Sequence, residues 1–272
     1  MLKDLKNRIT VAKVGFSPDL IKKRYWHRFF FLILLIAIWQ LVAWLKIYPD
    51  YLLPSPLQVW DSLSFGFKEA DYVMVIINSL RRVLVGFLIA LFFGTLVGIA
   101  IARYKVLDNT IGATLTALQS IPSVAWVPLA LLWFGISEAA VLFIVTLEAF
   151  IPCALGVRTG MITIPKELIR AAQTLGSKNL DLYLRVIFPA ILPNFVSSLR
   201  LSWAFAWRAL IAGELFVTGL GIGQTLELAR SLADMAQVIS MILIVAILGY
   251  ITDNVIFRSI EKKVQKIWGF NQ

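Results

Sequence analysis

The residues able to do chemistry are few, and their types exclude whole classes of activity. One histidine, His27, and one cysteine, Cys153, give neither a His/Cys metal-ligand set nor an internal disulfide. His27 reads as an interfacial side chain between Arg24 and Arg28, and Cys153 as a small packed residue in an apolar run. No G-x-x-x-x-G-K-[ST] phosphate loop occurs, so ATP has no loop of that kind to bind. Gly219, Gly221 and Gly223 lack the βαβ context of a dinucleotide fingerprint and read as a flexible turn. What remains is a set of charges inside apolar sequence. Glu148, Arg200 and Arg208 stand where a charge is costly and seldom faces lipid. Gln119 and Ser120 precede Pro122, which removes a backbone donor and breaks a helix. Free backbone groups and polar side chains at such a break suit solute passage, or else bond to a neighbouring helix. This is chemistry of passage and pairing rather than of catalysis.

Such residues need helices to position them, and the composition says where those helices lie. The chain has 272 residues, 59% hydrophobic and 15% charged, with a mean hydropathy of +0.81. Soluble domains run nearer 45–50% apolar and about 25% charged, so a soluble enzyme is excluded. Six stretches are long enough to cross a bilayer, at 29–47, 82–102, 110–134, 138–157, 191–211 and 236–256. The third holds Pro122 and Pro128 and is expected to be kinked or broken. Broken backbone at membrane depth is tolerated only inside protein or beside a wet cavity. Gly94 with Gly98, and Gly156 with Gly160, are spaced to let helices approach closely.

Charge sets the expected direction. Residues 1–28 carry eight basic residues and run straight into an apolar stretch without a small-residue cleavage site, which reads as a permanent first span rather than an export signal. With that end inside, nineteen of the 26 Lys and Arg residues fall in inner segments and three in outer ones. The positive-inside rule therefore accounts for the net charge of +10 without nucleic acid. Lys68, Arg81 and Arg230 are the outer cations; Arg81 and Arg82 read as snorkelling to the interface or as attracting an anion. The organisation expected is a basic cytoplasmic segment 1–28, a transmembrane domain 29–256 and a cytoplasmic tail 257–272.

The longest inner loop, 158–190, is the informative one. Pro165 and Glu167 fit a helix start, and Gly176 fits its stop. Ile169, Ala172 and Leu175 repeat at helical spacing. A second short helix carries Leu180, Leu182, Leu184, Val186 and Ile187 and ends at Pro189. Too short for a domain and too apolar for water, this pair is expected to dock on a cytoplasmic partner.

The same segment resembles the EAA signature of membrane subunits of bacterial ATP-binding-cassette importers: Glu-Ala-Ala, three residues, Gly, nine residues, then Ile-x-Leu-Pro. Arg170-Ala171-Ala172, Gly176 and Val186-Ile187-Phe188-Pro189 keep its spacing, with Arg170 in place of glutamate and Phe188 in place of leucine. LLPSP, SIPSVAWVPLALLWFG and AWRALIAGELFVTGLGIG extend the resemblance towards the branch importing nitrate, sulfonates, taurine or bicarbonate. The resemblance implies an all-α, type I importer permease with about six transmembrane helices in the bacterial inner membrane, both termini cytoplasmic. It implies a second permease subunit, expected to be an identical copy, two cytoplasmic ATPase subunits that hold ATP and Mg, and an outer solute-binding protein. This chain itself would bind no cofactor and be no enzyme. Glu167, Arg170, Ala171, Ala172, Gly176, Val186, Phe188 and Pro189 become the ATPase-coupling residues. Gln119, Ser120, Pro122 and Glu148 become the translocation-pathway candidates. Rival readings are an importer of an amino acid, phosphonate or vitamin precursor, a secondary carrier, and a membrane-embedded enzyme, which the single histidine and scattered acids disfavour.

Glu148 lies ten residues from Arg158 at the inner end of its span, and Arg200 nine residues along the next. At 1.5 Å per residue their depths differ by about 1.5 Å. Two opposite charges at matched depth are expected to pair, unless Glu148 faces the pore.

Overall fold

Apolar runs of a span's length become helices throughout the computed structural model, which describes residues 18–267. Residues 1–17 of the basic segment and 268–272 of the tail lie outside the described residues. Helix α1 is Pro18–Trp44 and α2 is Pro56–Lys68. The start of α2 is fixed by sequence: Ser55 and Gln58 form a reciprocal capping box, with Pro56 in the first turn. Helix α3 is Tyr72–Arg103, and α4, Lys105–Leu118, contains a π turn at Asp108–Gly112. The chain then breaks, and α5, Ser123–Phe134, leaves at 104° to α4. Pro122 stands at this break in extended conformation, whereas Pro128 sits in the first turn of the α-helical part of α5, where its missing N–H costs nothing. Helix α6 is Glu138–Ile162, α7 Lys166–Thr174 and α8 Asn179–Leu182. A π turn at Tyr183–Ile187 carries α8 without interruption into α9, Phe188–Glu214. Helix α10, Ile222–Ser231, is amphipathic, and α11, Met235–Ile251, passes through a third π turn, Thr252–Phe257, into α12, Arg258–Ile267.

Among the described residues, Tyr72–Arg103, Glu138–Ile162, Tyr183–Glu214 and Met235–Val264 are long and apolar enough to cross a membrane. The bent α4–α5 pair is apolar enough to make a fifth if it is one broken span, and α1 carries the shorter apolar run Phe29–Trp44. Four of the six expected spans are thus long crossing-length helices, and α3 begins ten residues before the expected 82. Ser79, Arg81 and Arg82 end the hydropathic run in the sequence; in the fold each finds a polar partner, so the helix continues through them.

The most apolar stretch of α6 is 61% buried, against 22–33% for the other three long spans, so α6 is the centre of the bundle. Helices α3 and α9 pack along its two sides. The paired glycines make this possible. A Cβ on Gly98 would lie 2.6 Å from the Ala154 carbonyl, and one on Gly156 only 2.0 Å from Ser198 Cβ. Cys153, fully buried, packs beside Gly94 as expected. The main core, which includes Tyr72, Val83, Phe87, Val141, Ile144, Trp203, Leu210 and Ile222, has Phe87 and Trp203 edge to face at 5.1 Å.

Candidate functional site

At one end of the bundle, α7 and α8 form a protruding loop. Helix α7 stops through a Schellman motif: Ser177 N–H donates to the Ala172 carbonyl and Gly176 N–H to that of Gln173, both at 3.0 Å. Gly176 adopts φ +94°, a conformation that side chains resist, and no atom would meet a Cβ there within 4 Å. Ala172, Leu182, Ile187 and Ile191 are buried together with Ile164, and Ile169 and Val186 pack against them. This small core fixes the two short helices to the end of α6 and the start of α9. Arg103, at the end of α3, donates to the Tyr183 hydroxyl at 3.0 Å and ties the loop to a second span.

The outward face differs from the sequence reading. Glu167, Arg170 and Ala171 are exposed and Pro189 is half-buried, but Leu175 (88% exposed) and Leu184 (61%) also turn outward, beside Leu168 and Phe188. Leu184 is two residues from Leu182, about 200° around the helix, so the two cannot share a face. The loop exposes these apolar side chains beside Glu167 and Arg170.

Arg82, Arg158, Arg200 and Arg208 show how the fold handles charge within the spans. Arg158 pairs with Asp108 in the first π turn. Arg200 binds Asp253 in the third π turn and Glu261 in α12. The expected Glu148–Arg200 pair is therefore not made. Matched depth was insufficient, because Arg200 leaves α9 on the side of α11 and α12 while Glu148 sits on the buried surface of α6. The cation whose field reaches Glu148 is Arg208.

Arg82 makes the third pair and belongs to a network the sequence reading missed. Its Nη1 donates to Glu214 at 2.8 Å and to the Leu220 carbonyl at 3.1 Å. Glu214, 1% exposed, also accepts from Ser79 and from Gly223 N–H, and Ser79 accepts from Ile222 N–H. Arg81 pairs with Glu138 alongside. Snorkelling is thus replaced by pairing, and the glycine-rich segment is clamped rather than flexible. A Cβ on Gly221 would come within 2.7 Å of both Glu214 and Arg82. The readable signal was Ser79 and Arg82 at i, i+3 spacing on one helix face, with an acid ending a later span.

The remaining surface separates into two kinds. Exposed positions of α3 (Leu84, Leu88, Phe92, Leu96) and α11 (Ile242, Ile247, Ile251) are apolar and suit lipid. The exposed line along α9 reads Asn194, Ser197, Leu201, Ala204, Arg208. A lipid-facing guanidinium costs roughly 2.5–3.5 kcal/mol on insertion scales, so this face is built for a wetter or protein-filled neighbour. The α4–α5 break lies beside it: Ser123–Trp126 contacts α9, Ser120 and Pro122 are exposed, and Gln119 is half-buried. Ser120 bonds back to the Ala117 carbonyl at 2.7 Å. The structure thus gathers Gln119, Ser120 and Pro122 at the break and leaves Glu148, 6% exposed, behind it on α6.

A bundle of long apolar helices, with a sharply bent helix pair and two short helices at one end, is the architecture of a membrane protein. Residues 75–266 match the model of the binding-protein-dependent transport system inner membrane component, and the chain belongs to that family. It is a permease, the membrane subunit of an ATP-binding-cassette importer, in a family whose systems include a solute-binding protein and an ATP-binding component. The taurine transport system permease protein TauC of Escherichia coli is 29% identical over 82% of this chain and 82% of its own length. The nitrate import permease protein NrtB of Leptolyngbya laminosa is 28% identical over 79% of each. The inward-facing structure of the MetNI methionine ABC transporter shares the fold, with a TM-score of 0.55 at 18% identity, covering 70% of this chain and 97% of that one.

Proposed function

We propose that this permease forms the pore for a small oxyanion of the nitrate, taurine, sulfonate or bicarbonate class. It does so with a second, identical permease subunit. The α7–α8 loop is cytoplasmic and docks on a separate ATPase subunit, which binds ATP and Mg and hydrolyses the nucleotide. An outer binding protein delivers the solute at the opposite end, by the Arg81–Glu138 pair. Both termini lie in the cytoplasm, with 1–28 and 257–272 as its flanking segments and 29–256 as the transmembrane domain.

The observation that carries the coupling is mechanical. The docking loop is continuous with α9 through the π turn, so a shift of Leu184 or Phe188 by a partner is delivered along a single helix to the polar face at Arg208. Glu167 and Arg170 supply the charged contacts, Ala171 allows close approach, and Ala172, Val186 and Pro189 hold the loop's shape. Closing and reopening of two ATPase subunits would thereby rock two polar faces between inward and outward access. The relatives that import taurine and nitrate support an anionic solute.

The test is import by the whole complex, reconstituted with its ATPase and binding protein in vesicles. Uptake of nitrate or taurine should require ATP on the side of the α7–α8 loop. Uptake that persists without ATPase subunits would sink the reading in favour of a secondary carrier.

A further inference from the structure

Among the arginines described within the spans, Arg82, Arg158 and Arg200 each meet a carboxylate, supplied by Glu214, Asp108 and Asp253. Arg208 meets none within 4 Å; its guanidinium lies over the Phe205 ring, 4.7 Å from the centroid. It stands six residues inward of Glu214, about 9 Å along the helix, so it is below the mouth rather than at it. It is also exposed, on the same side of α9 as Asn194, Ser197 and Ala204, and that helix packs against the Ser123–Trp126 turn of the broken crossing. The fold supplies a two-oxygen acid to the paired guanidinium groups at depth and leaves this one open.

We propose that Arg208 is the anion-contacting residue of the translocation pathway, with the transported oxyanion as its transient partner. The assignment rests on the anion-pore reading above and names the residue that makes the pore selective. A guanidinium presents a planar fork of donors, and nitrate, a sulfonate and bicarbonate each present paired oxygens to it, as Asp253 does to Arg200. The Phe205 face orients the fork without neutralising it. Glu148 on α6 is within reach of the Arg208 charge but forms no ion pair with it within 4 Å.

The experiment uses the complete importer in proteoliposomes, with nitrate and taurine as probes, and reads uptake, ATP hydrolysis and subunit co-elution. Arg208→Gln should lower uptake about tenfold or more, as loss of a charge-assisted contact predicts, while hydrolysis and co-elution persist. Arg208→Lys, which keeps the charge but not the fork, should restore part of it. Ala204→Glu plants a carboxylate one turn away on the same face and should block uptake with Arg208 still present. A wild-type complex that imports one probe, with Arg208→Gln importing it equally fast, overturns this assignment alone. Dissociation of the Arg208→Gln complex while Ala204→Glu imports normally overturns it too, and assigns Arg208 to a contact between subunits. A wild-type complex that imports neither probe overturns the anion-pore reading and the assignment with it.

Discussion

Gly176 and Glu214 illustrate opposite ways in which one residue constrains this fold. At Gly176 the constraint is backbone alone: φ is +94° and space is open around it. Gly176→Val should add roughly 1–2 kcal/mol of left-handed strain, re-aim α8 and uncouple transport. The measurement is anion imported per ATP hydrolysed in vesicles; an unchanged ratio would reject the loop as the coupling element. At Glu214 the constraint is electrostatic. Glu214→Ala removes the buried partner of Arg82 and leaves it only the more distant Glu138, 3.9 Å away, and the Leu220 carbonyl; at a cost of up to roughly 3–5 kcal/mol it should lower Tm in detergent on the order of 10 °C. Glu214→Gln, which can still accept from Ser79 and Gly223, should lose less. The sequence displayed every one of these residues, and Gly176 could be read correctly because its signal is local. The Arg82–Glu214 partnership spans 132 positions, so no local pattern contained it.

Between elements, the decisive quantity is how closely two helices approach. Gly156→Val places a side chain where Ser198 Cβ would be 2.0 Å away, so α6 and α9 must separate. Overpacking of this kind costs roughly 1–3 kcal/mol or more, and the yield of folded, monodisperse protein should fall. Gly249→Ala, with nothing within 4 Å, is the matched control and should be neutral or gain up to about 1 kcal/mol from helix propensity. Equal behaviour of the two variants would contradict the packing described. The element-level ion pair is tested by exchange. Arg200→Asp combined with Asp253→Arg should recover assembly lost in each single variant, whereas Glu148→Arg with Arg200→Glu should not.

For the molecule as a whole, orientation is the property to test. A reporter fused after Gln272 should lie on the cytoplasmic side and one inserted near Glu69 on the other. Both on one side would overturn the topology. Hydropathy made the long apolar helices legible, because lipid acts on composition, which needs no knowledge of contacts. The break at Pro122 was equally legible, since a missing N–H is a property of the residue. The start of α3 was not. The first ten residues of α3 were left out of the expected span, which began at 82, although Ser79 and Arg81 among them find polar partners in the fold.

What the sequence determined by itself, then, was what a residue or a run of residues decides alone: membrane residence, the long apolar helices, the break at Pro122 and the glycine stop of α7. Tertiary structure decided which charge meets which and which face of each helix is left open. Glu148 and Arg200 share a depth, but depth is one coordinate; rotation about the helix axis sends Arg200 to Asp253 and leaves Arg208 facing outward. That rotation is set by α6 packing against α3 and α9 through Gly98 and Gly156, contacts between residues far apart in the chain. Only the assembled bundle fixes it.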